Sequence, residues 1–129
     1  MKALIVEDDF ASRIVLKKFL AEIGPWDVAL AGDGVEGVDA FLQAHKDGAP
    51  FDLLCLDIML PRVDGINALR IIRDLEKEHA FVPVRIMMTT ALYDKAKVDE
   101  AFQLGCQAYS TKPLDLQKIR DVLSKLGLG

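Results

Sequence analysis

Apolar residues follow two alternating rhythms along this chain. Five short runs, Ala3 to Val6, Val28 to Ala31, Leu53 to Leu56, Val84 to Met88 and Ala108 to Ser110, are largely apolar, and the stretches between them space their apolar residues three and four apart. A nearly continuous apolar run reads as a strand covered on both faces, and the wider period as a helix with one buried stripe. Leu16, Phe19, Leu20 and Ile23 form one such stripe, and Ile119, Val122, Leu123 and Leu126 form another. The intervening helices are expected from Val35 to Ala44, from Ile66 to about Lys77 and from Lys95 to Leu104. In the last of these Val98, Ala101 and Phe102 mark the inner face, and its stripe is the weakest. Gly24 with Pro25, Gly105, and Asp115 as a helix N-cap supply the boundaries. Strand and helix alternating in this way predict an α/β fold of repeated βα units around a parallel sheet.

With 129 residues, 51% of them apolar and 28% charged, the chain has the composition of one ordinary globular domain. No apolar run approaches the ~20 residues of a membrane helix, and Met1 to Val6 is too short for a secretory signal. A cytoplasmic protein with no membrane contact is expected. The net charge of −4, without a basic stripe, argues against nucleic acid as a partner. Cys55 and Cys106 share no metal-ligand or redox spacing and read as buried thiols. Because the first strand begins at residue 3 and the last helix runs nearly to Gly129, one domain over residues 1–129 with no output domain is expected. Such a domain has to act by touching a partner.

In parallel α/β sheets the ligand site lies beyond the carboxyl ends of the strands. There the sequence places Glu7, Asp8 and Asp9 after the first strand and Asp57 after the third. Thr89 and Thr90 follow the fourth strand, Thr111 and Lys112 the fifth. Asp9, third in an acidic run, reads as a solvated loop charge. Carboxylates gathered in one cleft repel, so a cation has to compensate them. All these donors are oxygens, and His45 and His79 fall near the ends of helices two and three, away from the cleft. A hard ion such as Mg²⁺ (or Mn²⁺) suits the set, and zinc does not. A carboxylate beside such an ion, with the Lys112 ammonium near, can attack a phosphoryl group, and Thr90 can donate a hydrogen bond to a phosphoryl oxygen.

In this order and on these elements, the residues resemble the receiver domains of bacterial two-component response regulators, in particular the stand-alone, chemotaxis-regulator-like ones. Glu7 and Asp8, supported by Arg13, look like the family's acid pair. The run from Leu56 to Gly65 (LDIMLPRVDG) is similar to its phosphoacceptor segment, and Thr90-Ala91 and Lys112-Pro113 to its hydroxyl and lysine motifs. The resemblance implies a doubly wound, flavodoxin-like sheet of five parallel strands in the order 2-1-3-4-5, with five helices. It implies Asp57 as phosphoacceptor and as a metal ligand, Asp8 as the principal metal ligand, Glu7 as a ligand through water, and the Met59 carbonyl as a further ligand. It makes Thr90 and Lys112 phosphoryl contacts and Tyr109 the rotating aromatic of the face formed by helix four, strand five and helix five. A sensor histidine kinase or a histidine phosphotransfer protein would donate the group, and a downstream protein would read the change. Such a domain is a signalling switch, catalysing only its own phosphorylation and dephosphorylation. A chemotaxis regulator, a phosphorelay intermediate and a domain of a longer protein all stay open.

Met59 and Leu92 occupy positions that in the family flank the water attacking the acyl phosphate. Two apolar side chains there imply slow hydrolysis, unless both merely pack on loop surface. Two departures from the family pattern stand out. Gly37 replaces a usual Ala, which predicts a loosened second helix, and the segment from Ala44 to Phe51 predicts a surface extension. Three other readings compete with this one. A dehalogenase-type phosphatase needs an acid where Met59 stands, and a flavodoxin needs a phosphate loop where three acids stand. A phosphorylation-independent interaction module would keep the fold without the chemistry.

Overall fold

The computed structural model describes residues 1–91 and 93–129, so Leu92 lies outside the described residues. The described chain alternates β1 (Lys2–Val6), α1 (Phe10–Ile23), β2 (Asp27–Ala31), α2 (Gly34–Lys46), β3 (Leu53–Asp57), α3 (Gly65–His79), β4 (Arg85–Thr90), α4 (Lys95–Leu104), β5 (Ala108–Thr111) and α5 (Leu116–Lys125). All strand pairs are parallel and the sheet runs β2-β1-β3-β4-β5, the expected doubly wound order.

Strand side chains alternate between the two faces of the sheet, and each face finds its own helices. Leu4, Val6, Leu54, Leu56, Ile86 and Met88 pack with Phe41 of α2, Leu69 and Ile72 of α3 and Ala101 of α4. Ala3, Ile5, Leu53, Cys55 and Met87 point the other way, onto Leu16 and Leu20 of α1 and Ile119 and Leu123 of α5. Both faces being covered is why the strands read as unbroken apolar runs. Burial lifts the Cys55 thiol to about 12 and the Cys106 thiol to about 11, so both are inert in their packing roles.

The helix starts share one device. Asp9, Asp33, Asp64, Asp94 and Asp115 each stand at an N-cap, and each side chain accepts a hydrogen bond from a backbone N–H in the first turn. Asp115 was expected in this role. Asp9 was expected to be a solvated loop charge and instead accepts from the Ser12 N–H at 3.1 Å and the Ser12 hydroxyl at 2.6 Å, contacts that hold its carboxyl below the usual range.

Several boundaries move for local reasons. β4 starts at Arg85 rather than Val84 because the Val84 N–H donates to the buried Glu76 carboxylate at 2.7 Å, outside the ladder. It continues through Thr89 and Thr90, which pair with Ser110 and Thr111 of β5. Glu76 also takes Arg73 Nη1 at 2.6 Å, while Arg73 Nη2 reaches the Gly105 carbonyl at 2.7 Å and the Gln107 side chain at 3.1 Å. This cluster joins α3 to the C-terminal end of α4. Gly105 ends α4 with φ +106, a left-handed conformation suited to glycine, whereas Gly24 ends α1 in extended backbone.

Other expectations need correction. Phe102 is 43% exposed and meets Tyr109 edge-on rather than facing the core. The weakest segregation of apolar residues belongs to α1, not α4, because Phe10 and Val15 lie exposed on its outer side. The segment from Ala44 to Phe51 does lie on the surface: Lys46, Asp47, Gly48, Ala49 and Pro50 are exposed between Ala44, buried within α2, and Phe51, buried before β3.

Gly37 is not a loose spot. It is buried where α2 crosses β1, and a Cβ there would meet Val6 Cγ2 at 2.8 Å and Cγ1 at 2.9 Å. The missing side chain lets helix and strand backbones approach. Alanine should gain about 1 kcal/mol of helix propensity and lose about 1–3 kcal/mol to overpacking against a stiff β-branched neighbour. Gly37→Ala is therefore expected to be net destabilising, read as a lower urea midpoint at unchanged slope. An equal or higher midpoint would restore the loose-helix reading.

Candidate functional site

Four of the five strands end at one cleft. The β1 ladder ends at Val6, and the next residue, Glu7, turns its side chain inward while its N–H still donates to the Ala31 carbonyl at 3.0 Å. Asp57 is the last residue of β3, paired with Thr89 of β4, and Lys112 follows β5 with its N–H donating to the Thr90 carbonyl at 2.8 Å. Pairing of β1 with β3, β3 with β4 and β4 with β5 thus brings together residues more than a hundred positions apart.

Lys112 Nζ donates to Glu7 Oε2 at 2.6 Å and to Asp57 Oδ2 at 3.0 Å. Both carboxylates are buried, at 4% and 3% exposure, and Asp8 stands at the rim. Carboxylate oxygens of Glu7, Asp8 and Asp57 all lie within 4.8 Å of one another. The remaining lone pairs are partly met by backbone: the Asp9 N–H donates to Glu7 Oε1 at 3.1 Å, and the Met59 N–H to Asp57 Oδ1 at 3.1 Å. Asp8 makes no hydrogen bond or ion pair among the described residues.

One ammonium among three acids leaves an excess of negative charge. Burial pushes Glu7 up to about 7, a shift that Asp57 reinforces, while the hydrogen bonds from Lys112 and the Asp9 amide pull against it. For Lys112, burial works to lower the pKa, but the hydrogen bonds to Glu7 and Asp57 outweigh it and hold the ammonium above its ordinary value. An all-oxygen donor set of this geometry, short of positive charge and open on the Asp8 side, fits a small hard divalent cation.

The loop after β3 is fixed from three directions. Gly65 begins α3 pressed against the Asp57 carbonyl so closely that a Cβ would overlap it, and its N–H donates to the Ile58 carbonyl at 2.8 Å. Arg62, at φ +65, reaches across to the cap of α2, with Nε 3.0 Å from Asp33 Oδ2 and Nη2 3.2 Å from Oδ1. These contacts hold the Met59 backbone beside Asp57 while its side chain stays 59% exposed.

Other predicted residues are less central. Thr90 is buried at the end of β4. Tyr109 sits in β5 opposite Met88, 38% exposed, its ring 5.8 Å from Phe102 and 6.2 Å from Tyr93, so it belongs to a surface aromatic cluster rather than to the core. Arg13 does not join the acids; its guanidinium lies 5.7 Å from the Phe10 ring. The two histidines pack on Phe81, with ring centroids 3.6 Å away for His45 and 5.0 Å for His79, remote from the cleft as expected. Leu92 falls outside the described residues. What the sequence did not single out is the Arg62 to Asp33 tie, because its partners are 29 positions apart and no spacing pattern links them.

Comparison with known proteins agrees with this geometry. The chain is 30% identical to the chemotaxis protein CheY of Bacillus subtilis over 124 residues, covering 96% of this chain and 95% of that protein. It is 31% identical to probable histidine kinase 2 of Oryza sativa, of which it spans only 12% of the length. Among solved structures, CheY in the CheX-CheY-BeF3-Mg²⁺ complex of Borrelia burgdorferi superposes with a TM-score of 0.85 at 28% identity, covering 97% of this chain and 88% of that one. A family model, the response regulator receiver domain, matches residues 3–124. With Asp57 and Lys112 meeting where that family's fold brings its strand ends together, this chain belongs to the response regulator receiver domain family.

Proposed function

We propose that Asp57 is the phosphoacceptor of this receiver, with Asp8 and the Met59 carbonyl as direct ligands of a divalent cation, Mg²⁺ (or Mn²⁺), and Glu7 contributing through water. The observation that carries the proposal is Lys112 bridging Glu7 and Asp57 while Asp8 stands open beside them. Bound there, the cation would neutralise charge on the transferring phosphoryl oxygens.

The protein's own groups do the rest. Asp57 Oδ1 is oriented by the Met59 amide and Oδ2 by Lys112, which keeps the carboxylate in one rotamer before attack. As the Asp57 oxygen bonds to phosphorus, the bond from phosphorus to the donor's imidazole nitrogen breaks with its electron pair left on the donor, the lysine follows the charge outward, and Thr90 donates its hydroxyl to a phosphoryl oxygen. Moving Thr90 toward the group couples the site to β5 and to Tyr109, whose partly exposed position lets its ring turn without opening the core. A mostly inactive population becomes mostly active only if phosphorylation favours the active form by about 5 kcal/mol.

The group would come from a histidine kinase or histidine phosphotransfer protein, and a downstream protein would read the altered face. No described helix is long and apolar enough to cross a membrane, and we place the protein in the cytoplasm. A phosphorylation-independent module is disfavoured because Glu7, Asp8, Asp57 and Lys112 lie together and the sequence carries Thr90 as well. Slow hydrolysis remains part of the proposal on the Met59 side, where the side chain offers water no hydrogen bond.

Incubation with a small-molecule phosphodonor and Mg²⁺ is expected to add one phosphoryl mass to the wild type and none to Asp57→Asn, with both equally folded by circular dichroism. Lys112→Ala should still be labelled but fail to shift the amide resonances around Tyr109. Equal labelling of wild type and Asp57→Asn would remove Asp57 from its role. Metal and pH should be linked. Since Glu7 titrates near 7 folded against 4.5 as a free side chain, its protonated form favours the native state. That contribution is full below about 4.5 and disappears as the pH rises through about 7. Without metal, stability relative to Glu7→Gln should therefore fall across this window. Saturating Mg²⁺ should raise the melting temperature, by about 2.7 kcal/mol of stabilisation at a hundred times Kd. A melting temperature that ignores Mg²⁺ at matched ionic strength would refute the metal site.

A further inference from the structure

We infer that Arg62 and Asp33 are positioning residues for the chemistry at Asp57: their ion pair sets the Met59 backbone, and it is made from a turn that glycine would occupy more easily. The inference rests on the metal and phosphoacceptor reading above. Among the described residues, two that are not glycine have positive φ, Arg62 at +65 and Ala80 at +54. Ala80 closes α3 as its C-cap, and Arg62 closes no helix. A Cβ is penalised in this region and glycine is not, so the backbone alone favours glycine at position 62. What arginine supplies and glycine lacks is a two-pronged contact, Nε to Asp33 Oδ2 at 3.0 Å and Nη2 to Asp33 Oδ1 at 3.2 Å.

The pair adds direction to a contact that is otherwise apolar. Leu60 is buried and Val63 packs on the core, contacts with no preferred orientation. Gly34, the first residue of α2, lies so close to the Val63 carbonyl that a Cβ would overlap it. The guanidinium then contributes two oriented bonds close after Met59 in the chain. The Met59 N–H donates to Asp57 Oδ1 at 3.1 Å, and its carbonyl is a proposed metal ligand. One turn further along, the same helix meets the other half of the site, where Gly37 lies on Val6 beside Glu7. Thus α2 supplies no reactive group yet touches both chain segments that carry the acids.

Stability and function should respond differently to losing the pair. An exposed ion pair adds little to folding, whereas a hard ion with strict octahedral geometry is sensitive to a small displacement of one ligand. The pair therefore registers in metal binding and not in the melting temperature.

A double-mutant cycle in the full chain tests this, with wild type, Arg62→Gly, Asp33→Asn and the two combined. Arg62→Gly removes the guanidinium and relaxes the turn. Asp33→Asn keeps the helix cap, because the Asn oxygen accepts the Glu36 N–H as Asp33 Oδ1 does at 2.8 Å, but it turns an amide NH₂ toward Arg62 Nε. Mg²⁺ affinity is read by calorimetric titration, and exchange of the Met59 amide hydrogen and the melting temperature are read without metal. Each single variant is expected to bind Mg²⁺ about fivefold more weakly and to exchange the Met59 amide correspondingly faster. The double variant should match the singles rather than multiply them. The melting temperature of Arg62→Gly should be no lower than that of wild type. Affinities of both single variants within twofold of wild type overturn the inference, as do effects that multiply in the double variant. A lower melting temperature in Arg62→Gly overturns it too, since the lost affinity would then follow lost folding. Wild type that binds no Mg²⁺ overturns the metal reading itself, and the inference with it.

Discussion

The ammonium of Lys112, held between Glu7 and Asp57, is the interaction on which the site depends. Two carboxylates buried at the ends of neighbouring strands would drive each other out of the cleft, and a buried ion pair left without one partner is costly. The lysine allows them to stay. Because it arrives from the far edge of the sheet, it also obliges β5 to finish level with β1 and β3, so charge balance and strand register are one requirement. The compensation is incomplete by design of the donor set: three acids face one ammonium, and the surplus is what a divalent cation answers.

Around that requirement the fold is built from repeated, mostly local decisions. Alternate strand positions feed two separate cores, and an aspartate opens each described helix. Asp33 serves twice, capping α2 and receiving Arg62 from the loop after β3. A surface ion pair of this kind contributes little to stability. Its value is positional, since it fixes the loop that carries the Met59 amide against Asp57.

Much of this was legible from the residues alone, for identifiable reasons. Strands buried on both faces announce themselves as apolar runs, and Asp57, Thr90 and Lys112 fall at or just past their carboxyl ends, where a parallel α/β sheet has its ligand site. The strand order came from family resemblance and not from spacing, since periodicity says which residues are buried but not which strands are neighbours. What misled were positions whose meaning is a contact. Gly37 read as a weak helix residue because propensity knows nothing of Val6 lying against it. Phe102 read as core because its spacing is right, yet α4 is short and its aromatic turns outward to Tyr109. Asp9 read as a spare charge because three acids in a row conceal which one caps the helix.

The clamp at the C-terminal end of α4 has a mechanical meaning. Arg73, braced by the buried carboxylate of Glu76, grips the Gly105 carbonyl where the helix stops. With Val98 and Ala101 seated on the core and Arg73 holding the Gly105 carbonyl, the angle at which α4 lies is set from α3, and so is the surface that Phe102 shares with Tyr109.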